Sequence, residues 1–369
     1  MDSEPRIMVA GGGTGGHLYP AIALVKEIEQ RFPNSKFLFI GTRRGIEARV
    51  VPELEYDIRF IWLRGVQRRL NWRLLIAPIQ LLVSIVQCIY TLATFKPHVV
   101  IGTGGYVSGP ALMLAALFRF PTIIQEQNSF PGMTTRMLAR LVDQVHVTFE
   151  SSIKYFNDQD KVFLSGNPVR GHLSDVPRDV AAQKFGLKAS AKTLLIFGGS
   201  QGAQSVNQAM VRILPQALEQ KEWQVLWGTG ELSYAEVSMK MQPFADRVKV
   251  LPYIADMAAA YGIADLVVAR AGATTVAELQ TCGLPAILIP YPFAAANHQE
   301  ANARALVEAN AARMILDNEL DSDKLLIELK TLMDNETARI QIGEHLKALA
   351  LPDAAKTIID KMMTLLDYD

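Results

Sequence analysis

The sequence predicts an α/β protein of two Rossmann-like domains, each a doubly wound parallel sheet, facing a central cleft. Three observations carry that expectation. Apolar runs of about five residues alternate with helical patterns along the chain, the signature of βαβ units. Both halves open alike, with an apolar run, a glycine-rich loop and a helix. IMVA (7–10) leads into GGGTGGH (11–17), and TLLIF (193–197) leads into GGSQGA (198–203). Finally, 369 residues are too many for one ordinary core.

Strands are expected at 6–10, 36–40, 98–102, 121–125, 143–148 and 161–165 in the first half. In the second they are expected at 193–197, 223–227, 247–251, 265–269, 285–289 and 312–316. Ala21, Leu24, Val25, Ile28 and Phe32 recur at helical steps, and Pro33 ends that first helix. The turn-rich GNPVR (166–170) divides the chain into domains 1–166 and 167–353. A C-terminal helix, about 354–369, is expected to pack back on the first domain.

Composition narrows the function classes. Lys plus Arg (37) equals Asp plus Glu (37), so global charge excludes nothing. Cys88 and Cys282 are the only cysteines, which leaves no disulfide framework or metal cluster and fits a reducing compartment. The opening MDSEPR lacks the basic and apolar regions of a signal peptide. None of the six histidines forms a pair at metal spacing. Asp158 with Asp160, and Asp321 with Asp323, have the spacing of some metal-dependent transferases but fall in polar turns, so neither metal nor cofactor is expected. No basic–aromatic alternation points to nucleic acid.

Residues 58–125 contain no Asp or Glu, and seven cations: Arg59, Arg64, Arg68, Arg69, Arg73, Lys96 and Arg119. Within them, 74–95 carries no charge. Gln80, Ser84, Gln87, Thr91 and Thr94 make one narrow polar stripe opposite a wide apolar face. One reading is a segment lying on a membrane, with Trp72 and the arginines at its flank. The other is a partly buried helix whose polar stripe faces solvent. Either way, the 64–73 stretch and the helix start suit contact with anionic lipid.

The glycine-rich loops carry the chemistry. Five glycines in residues 11–16 bare the backbone N–H groups at a helix N-terminus, which favours an anion. GTGGYVSGP (102–110) is a second such turn, brought to the same carboxyl edge by a parallel sheet. QEQNS (125–129) ends the next strand with more polar side chains than a helix cap needs. In RAGATTVAE (270–278), Thr275 and Glu278 have capping-box spacing. Glu278 there has two readings, a cap or an acceptor for ribose hydroxyls beside a phosphate site. Asn297 and Glu300 repeat the spacing, with His298 and Gln299 on the same first turn.

These strings together (GGGTGGHLYPAIAL, GGYVSGP, QEQN, GNPVR, GGSQGA, ADMAAAY, RAGATTVAEL and NHQEANA) resemble the MurG family of GT-B glycosyltransferases over residues 7 to about 310. That resemblance implies transfer of N-acetylglucosamine from UDP-GlcNAc to the 4-hydroxyl of MurNAc in lipid I, giving lipid II in peptidoglycan synthesis. It implies a peripheral protein on the cytoplasmic face of the plasma (inner) membrane, with room for contacts to other cell-wall synthesis proteins. In the donor site, Ser200 and Arg170 would face the diphosphate and Ile254 the uracil. Ala273, Thr274, Thr275, Val276 and Ala277 would hold phosphate and ribose, with Glu278 on the ribose hydroxyls and Gln299 on the sugar. From the first domain, Thr14, Gly15, Gly16 and Asn128 would close over the GlcNAc. Gly13, His17, Gly104, Gly105 and Tyr106 would receive the acceptor. Arg64, Arg68, Arg69, Trp72, Arg73 and Leu75 would touch the membrane. Residues 291–296 are less polar than the family pattern before the Gln.

An α-linked donor and β-linked product require one in-line displacement with inversion, helped by a general base. His17 is the first expectation for that base and Glu126 the second. The rivals are an NADP-dependent oxidoreductase, for which Gly11, Gly13, Gly16 and Arg43-Arg44 match a dinucleotide fingerprint, a GT-B enzyme acting on diacylglycerol, and a non-catalytic nucleotide-sugar binder.

Overall fold

The computed structural model describes residues 5–64, 76–169, 171, 173, 175–199, 202–219, 223–320 and 323–366. The chain divides into two compact units: Met1–Val169 with Pro352–Asp369, and Arg170–Leu351.

Unit 1 holds strands β1 (Arg6–Gly11), β2 (Lys36–Gly41), β3 (Asp57–Phe60), β4 (Val99–Gly104), β5 (Thr122–Glu126), β6 (Gln144–Val147) and β7 (Val162–Leu164). They form one sheet in the order β3-β2-β1-β4-β5-β6-β7, every pair parallel. Its helices are α1 (Gly15–Arg31), α2 (Glu47–Glu53), α3 (Ala77–Phe95), α4 (Ser108–Leu117), α5 (Met133–Leu138) and the C-terminal α14 (Ala354–Met363). Successive residues of β1 point to opposite faces, and both faces are buried. Met8 and Ala10 join a core with Leu112 of α4, and Ile7 and Val9 join another with Leu24 and Ile28 of α1. Ile358, Ile359 and Met362 of α14 complete the second core. Arg31 holds Asp360 at 2.5 Å.

Unit 2 repeats the arrangement. Strands β8 (Thr193–Phe197), β9 (Gln224–Gly228), β10 (Val248–Leu251), β11 (Leu266–Ala269), β12 (Ala286–Leu288) and β13 (Arg313–Met314) lie in the order β10-β9-β8-β11-β12-β13, all parallel. Helices α6 (Arg178–Phe185), α7 (Gln204–Leu218), α8 (Glu231–Met241), α9 (Met257–Ile263), α10 (Ala273–Cys282), α11 (His298–Glu308), α12 (Lys324–Asp334) and α13 (Glu336–Ala348) connect and cover them. In each sheet the strand order reverses at one place, between β1 and β4 and between β8 and β11. Loops leaving the carboxyl ends there are the natural ligand sites of such sheets.

Two expectations need correction. The edge strand β3 was not foreseen. Its sequence DIRF alternates polar with apolar and is only half-buried, so it lacks the continuous apolar run of a central strand. The polar stripe of α3 points inward, opposite to the solvent-facing reading. Gln80, Ser84 and Thr91 are buried, while Ile79, Leu82, Val86 and Tyr90 are 54–65% exposed. The buried hydroxyls are satisfied within the helix: Ser84 donates to Leu81 O and Thr91 to Gln87 O, each at 2.8 Å. Gln87 accepts the Trp62 N–H at 2.8 Å. Small satisfied polar groups therefore pack inward and the wide apolar face is left uncovered. By length and composition α3 could cross a membrane, the one such helix among the described residues.

Candidate active site

In unit 1 the loop 11–17 is built around a carboxylate that sequence reading missed. Glu47, fully buried at the start of α2, accepts the Gly13 N–H on Oε2 at 2.7 Å. Its Oε1 accepts the Thr42 N–H at 2.8 Å and the Thr42 hydroxyl at 3.1 Å. A Cβ at Gly12 or Gly41 would come within 2.5 Å of this side chain, and one at Gly45 closer still. Those three glycines make room for the carboxylate. The Gly13 N–H is thus already committed. An anion drawn to that N–H would meet a buried carboxylate.

His17 is fixed from three sides. Thr103 donates its hydroxyl to the His17 carbonyl at 2.8 Å. The ring Nδ1 lies 2.9 Å from Gln127 Oε1. Gly104, at φ +100°, could not carry a side chain, because its Cβ would lie 2.7 Å from Nδ1. A Cβ on Gly105 would lie 2.7 Å from Gly12 O. The two expected acceptor glycines are therefore the surface on which the His17 ring and the first loop rest. The Tyr106 hydroxyl sits 3.5 Å from Thr42 Oγ1, on the same brace. Thr14, the N-cap of α1, makes no side-chain cap bond and is exposed, as is Gly16, while Gly15 is half-buried.

Glu126 is differently placed from a free base. It is buried, its Oε1 accepts the Asn128 N–H at 3.0 Å and the Asn128 amide at 3.1 Å, and its Oε2 accepts the Gly132 N–H at 3.1 Å. It braces the 126–132 turn and orients Asn128.

In unit 2, α10 starts at Ala273 behind Gly272, which supplies no side-chain cap. The first-turn N–H groups, Ala273, Thr274 and Thr275, have no intrahelical acceptor in such a geometry. Thr274 Oγ1 is buried with no hydrogen-bond partner. Thr275 lies inside the first turn, so the expected capping box with Glu278 does not form. Glu278, buried, accepts the Tyr261 hydroxyl at 2.7 Å instead. Val276 and Ala277 are buried in the helix. The second expected capping box also fails: Asn297 donates to Glu300 at 2.6 Å, and Glu300 turns to Arg304. Gln299 accepts the Tyr291 N–H at 2.9 Å, which ties α11 to the 291–296 turn.

Arg270, another residue missed, is buried at the end of β11. It donates to Asp317 at 2.5 Å, Ser205 at 2.8 Å and the carbonyls of Ile289 and Pro290 at 3.2 and 3.1 Å. One guanidinium thus fastens the ends of β11 and β12 to the start of α7. The Ile254 side chain is buried over Gly228, where an added Cβ would be 3.1 Å away. Beside it lies a recess of about 620 Å³ lined by Lys184, Phe185, Lys249, Leu251, Tyr253 and Asp256. Lys184 pairs with Asp256, and that pairing and the Ala259 N–H hold the Asp256 carboxyl below the usual range, the backbone bond contributing most. Asp158 pairs with Lys161 at 3.6 Å, and no group of metal-ligating side chains occurs among the described residues. Arg170, Ser200, Arg68, Arg69, Trp72, Arg73 and Leu75 lie outside the described residues, while Arg64 is half-buried.

Comparison with known proteins agrees with this architecture. Residues 7–147 match the glycosyltransferase family 28 N-terminal domain, and residues 193–358 match the family 28 C-terminal domain. A Desulforamulus reducens protein named UDP-N-acetylglucosamine–N-acetylmuramyl-(pentapeptide) pyrophosphoryl-undecaprenol N-acetylglucosamine transferase is 42% identical over 360 residues, covering 96% of this chain and 97% of its own. A protein of the same name from Acetivibrio thermocellus is 39% identical over 356 residues, covering 96% of each chain. The crystal structure of Acinetobacter baumannii MurG superposes with a TM-score of 0.78 at 28% identity, covering 98% of this chain and 100% of that one. With both domain models matched in order and its relatives aligned along nearly their whole length, the chain belongs to glycosyltransferase family 28.

Proposed function

We propose that the protein transfers N-acetylglucosamine from UDP-GlcNAc to the 4-hydroxyl of MurNAc in undecaprenyl-pyrophosphoryl-MurNAc-pentapeptide, converting lipid I to lipid II. Its relatives carry the name of that reaction. The observation that carries the donor half is the start of α10, where uncapped N–H groups meet the unpartnered Thr274 hydroxyl. That set suits a diphosphate. Glu278, one turn on, would take the ribose hydroxyls, with Ser200 and Arg170 at the phosphates and Gln299 at the sugar. Thr14, Gly15, Gly16 and Asn128 would meet the sugar from unit 1. The acceptor would rest against Gly104, Gly105 and Tyr106, without the Gly13 N–H.

In the reaction the 4-oxygen forms a bond to C1 of GlcNAc as the C1–oxygen bond to UDP breaks. His17 Nε2 takes the hydroxyl proton, and UDP leaves with the electron pair, stabilised by the α10 N-terminus and its hydroxyl. The uncovered apolar face of α3 supports peripheral contact with a lipid surface, where the acceptor's undecaprenyl chain resides. The basic stretch 64–73 would add attraction to anionic lipid at the cytoplasmic face.

The deciding experiment measures UDP release with lipid I and, separately, with diacylglycerol, alongside thermal shifts with UDP-GlcNAc and NADPH. Release with lipid I alone and stabilisation by UDP-GlcNAc are expected. Release with diacylglycerol, or stabilisation by NADPH alone, would overturn the reading.

A further inference from the structure

We propose that Gln127 is a positioning residue that sets the tautomer of His17, keeping the proton on Nδ1 and the lone pair on Nε2. The inference rests on the reading of His17 as the base for its catalytic meaning, and on hydrogen bonding alone for its structural content.

A glutamine amide facing a histidine nitrogen is normally ambiguous, since either group can be turned around. Here the ambiguity is removed by groups that cannot turn. Gln127 Nε2 lies 2.6 Å from the carbonyl of Thr103 and 3.0 Å from that of Gln125. Both are acceptors only. Exchanging oxygen and nitrogen would press the Gln127 oxygen against two backbone oxygens in a buried site, each contact losing a hydrogen bond. The Gln125 side chain adds a second lock. Its Oε1 lies 2.5 Å from Gln127 Nε2, and its Nε2 faces the Gly166 carbonyl at 3.3 Å and Thr148 Oγ1 at 3.4 Å. The Thr148 hydroxyl proton is already given to Glu126 O at 3.0 Å, so that oxygen acts as an acceptor. Gln125 Nε2 also faces Asn167 Oδ1 at 3.3 Å, and each of the two glutamine amides has at least one main-chain carbonyl that fixes which end is nitrogen.

The end of this chain is Gln127 Oε1, an acceptor, 2.9 Å from His17 Nδ1. Only a protonated Nδ1 makes a bond there. In the neutral ring the proton is on Nδ1 and the lone pair on Nε2, which has no partner among the described residues. When Nε2 takes a proton from the acceptor hydroxyl, Nδ1–H is unchanged and the bond to Gln127 persists. The ring lies against Gly104 and Gly105, Thr103 holds the His17 carbonyl, and Gln127 holds Nδ1. The ionisable groups on the surrounding elements are Glu47, Tyr106 and Glu126. Glu47 and Glu126 are committed to N–H groups and Tyr106 lies near Thr42, so the neutral Gln127 amide is what faces Nδ1. A neutral acceptor sets the tautomer without stabilising the protonated ring as a carboxylate would.

The test uses the full-length protein with ¹⁵N-labelled histidine and two-bond ¹H–¹⁵N correlation spectra above pH 7, with the His17 signal assigned by its loss in His17→Ala. The parent should show the Nδ1–H pattern. Gln127→Leu should shift His17 toward the Nε2–H form and lower kcat by roughly 10- to 100-fold, with both KM values within about threefold. Gln127→Met, an unbranched replacement of similar length should the leucine variant fail to fold, should likewise shift His17 toward the Nε2–H form, because it too removes the acceptor facing Nδ1. An Nε2–H pattern in the parent overturns the inference, as does a Gln127→Leu variant that keeps both the parent pattern and the parent kcat. If instead His17→Ala keeps kcat while the parent shows Nδ1–H, the base reading falls and the tautomer assignment stands.

Discussion

The loop at 11–17 follows β1 and the start of α10 follows β11, strands on opposite sides of their sheets' switch points, and the two treat negative charge in opposite ways. Both follow the strand beside the switch point, and both open a helix. In unit 1 the space among the glycines is filled by Glu47, which takes the Gly13 N–H at 2.7 Å. The loop carries its own anion. In unit 2 no carboxylate among the described residues accepts an N–H at the start of α10, and Thr274 Oγ1 is buried without a partner. A glycine-rich strand–helix turn is therefore not by itself a phosphate site. What decides is whether the chain supplies an internal acceptor for the exposed N–H groups. That difference also explains why the dinucleotide fingerprint at Gly11, Gly13 and Gly16 misleads: the spacing is right, and the donor it should offer is spent.

The strongest way to break the comparison is to remove the internal anion. Glu47→Leu leaves the Gly13 and Thr42 N–H groups unpaired in a buried site, at a cost of about 2–4 kcal/mol. Hydrogen–deuterium exchange in peptides covering 11–17 and 41–47 should rise sharply, while those covering 270–278 stay as in the parent. Parent-like exchange in the first pair would show that Glu47 does not brace the loop.

The strands were legible because a parallel sheet buried on both faces writes its strands as unbroken apolar runs, as at Ile7–Ala10 and Leu194–Phe197. The edge strand β3 and the polarity of α3 were not. An edge strand needs no apolar run, and a helix with one polar stripe reads the same whether the stripe meets water or protein. Ser84 and Thr91 meet protein because each satisfies its hydroxyl within its own helix. The site divides in the same way. The glycine loops and the polar run 125–128 stand out locally. Glu47 and Gln127 act on partners 34 and 110 residues away, and no local spacing encodes such contacts. The surplus of amides at 125–128 was the one available sign of Gln127.

Acid should separate the two units next. His146, on β6 of unit 1, is buried and bonded to Ser165 and Gln144, and burial with the Lys361 charge pulls its pKa down from 6.5 to about 3. The unfolded chain then binds the proton first, so unit 1 loses stability as pH falls from about 6.5 toward 3, by at most about 1.4 kcal/mol per pH unit. His298 and His345, the described histidines of unit 2, are not fully buried. Calorimetry at pH 7, 6 and 5 should show the unit 1 transition falling faster, and His146→Gln should flatten that slope. Equal acid shifts of both transitions would remove His146 as the cause.

The smallest effect is the most discriminating, because one isosteric change should act oppositely in the two places. Thr42→Val removes a hydroxyl that donates to Glu47 at 3.1 Å, so unit 1 should lose about 1 kcal/mol. Thr274→Val removes a buried hydroxyl with no protein partner, so unit 2 should melt no lower than the parent and slightly higher if anything. If that hydroxyl serves a donor phosphate, its loss appears only when UDP-GlcNAc binds. The donor KM should rise roughly 5- to 10-fold, about 1 kcal/mol of binding, with the lipid I KM unchanged. A donor KM equal to the parent's would mean that α10 holds the phosphates by its backbone alone. A fall in melting temperature would mean that the hydroxyl has a structural partner, and the contrast between the two loops would then rest on Glu47 alone.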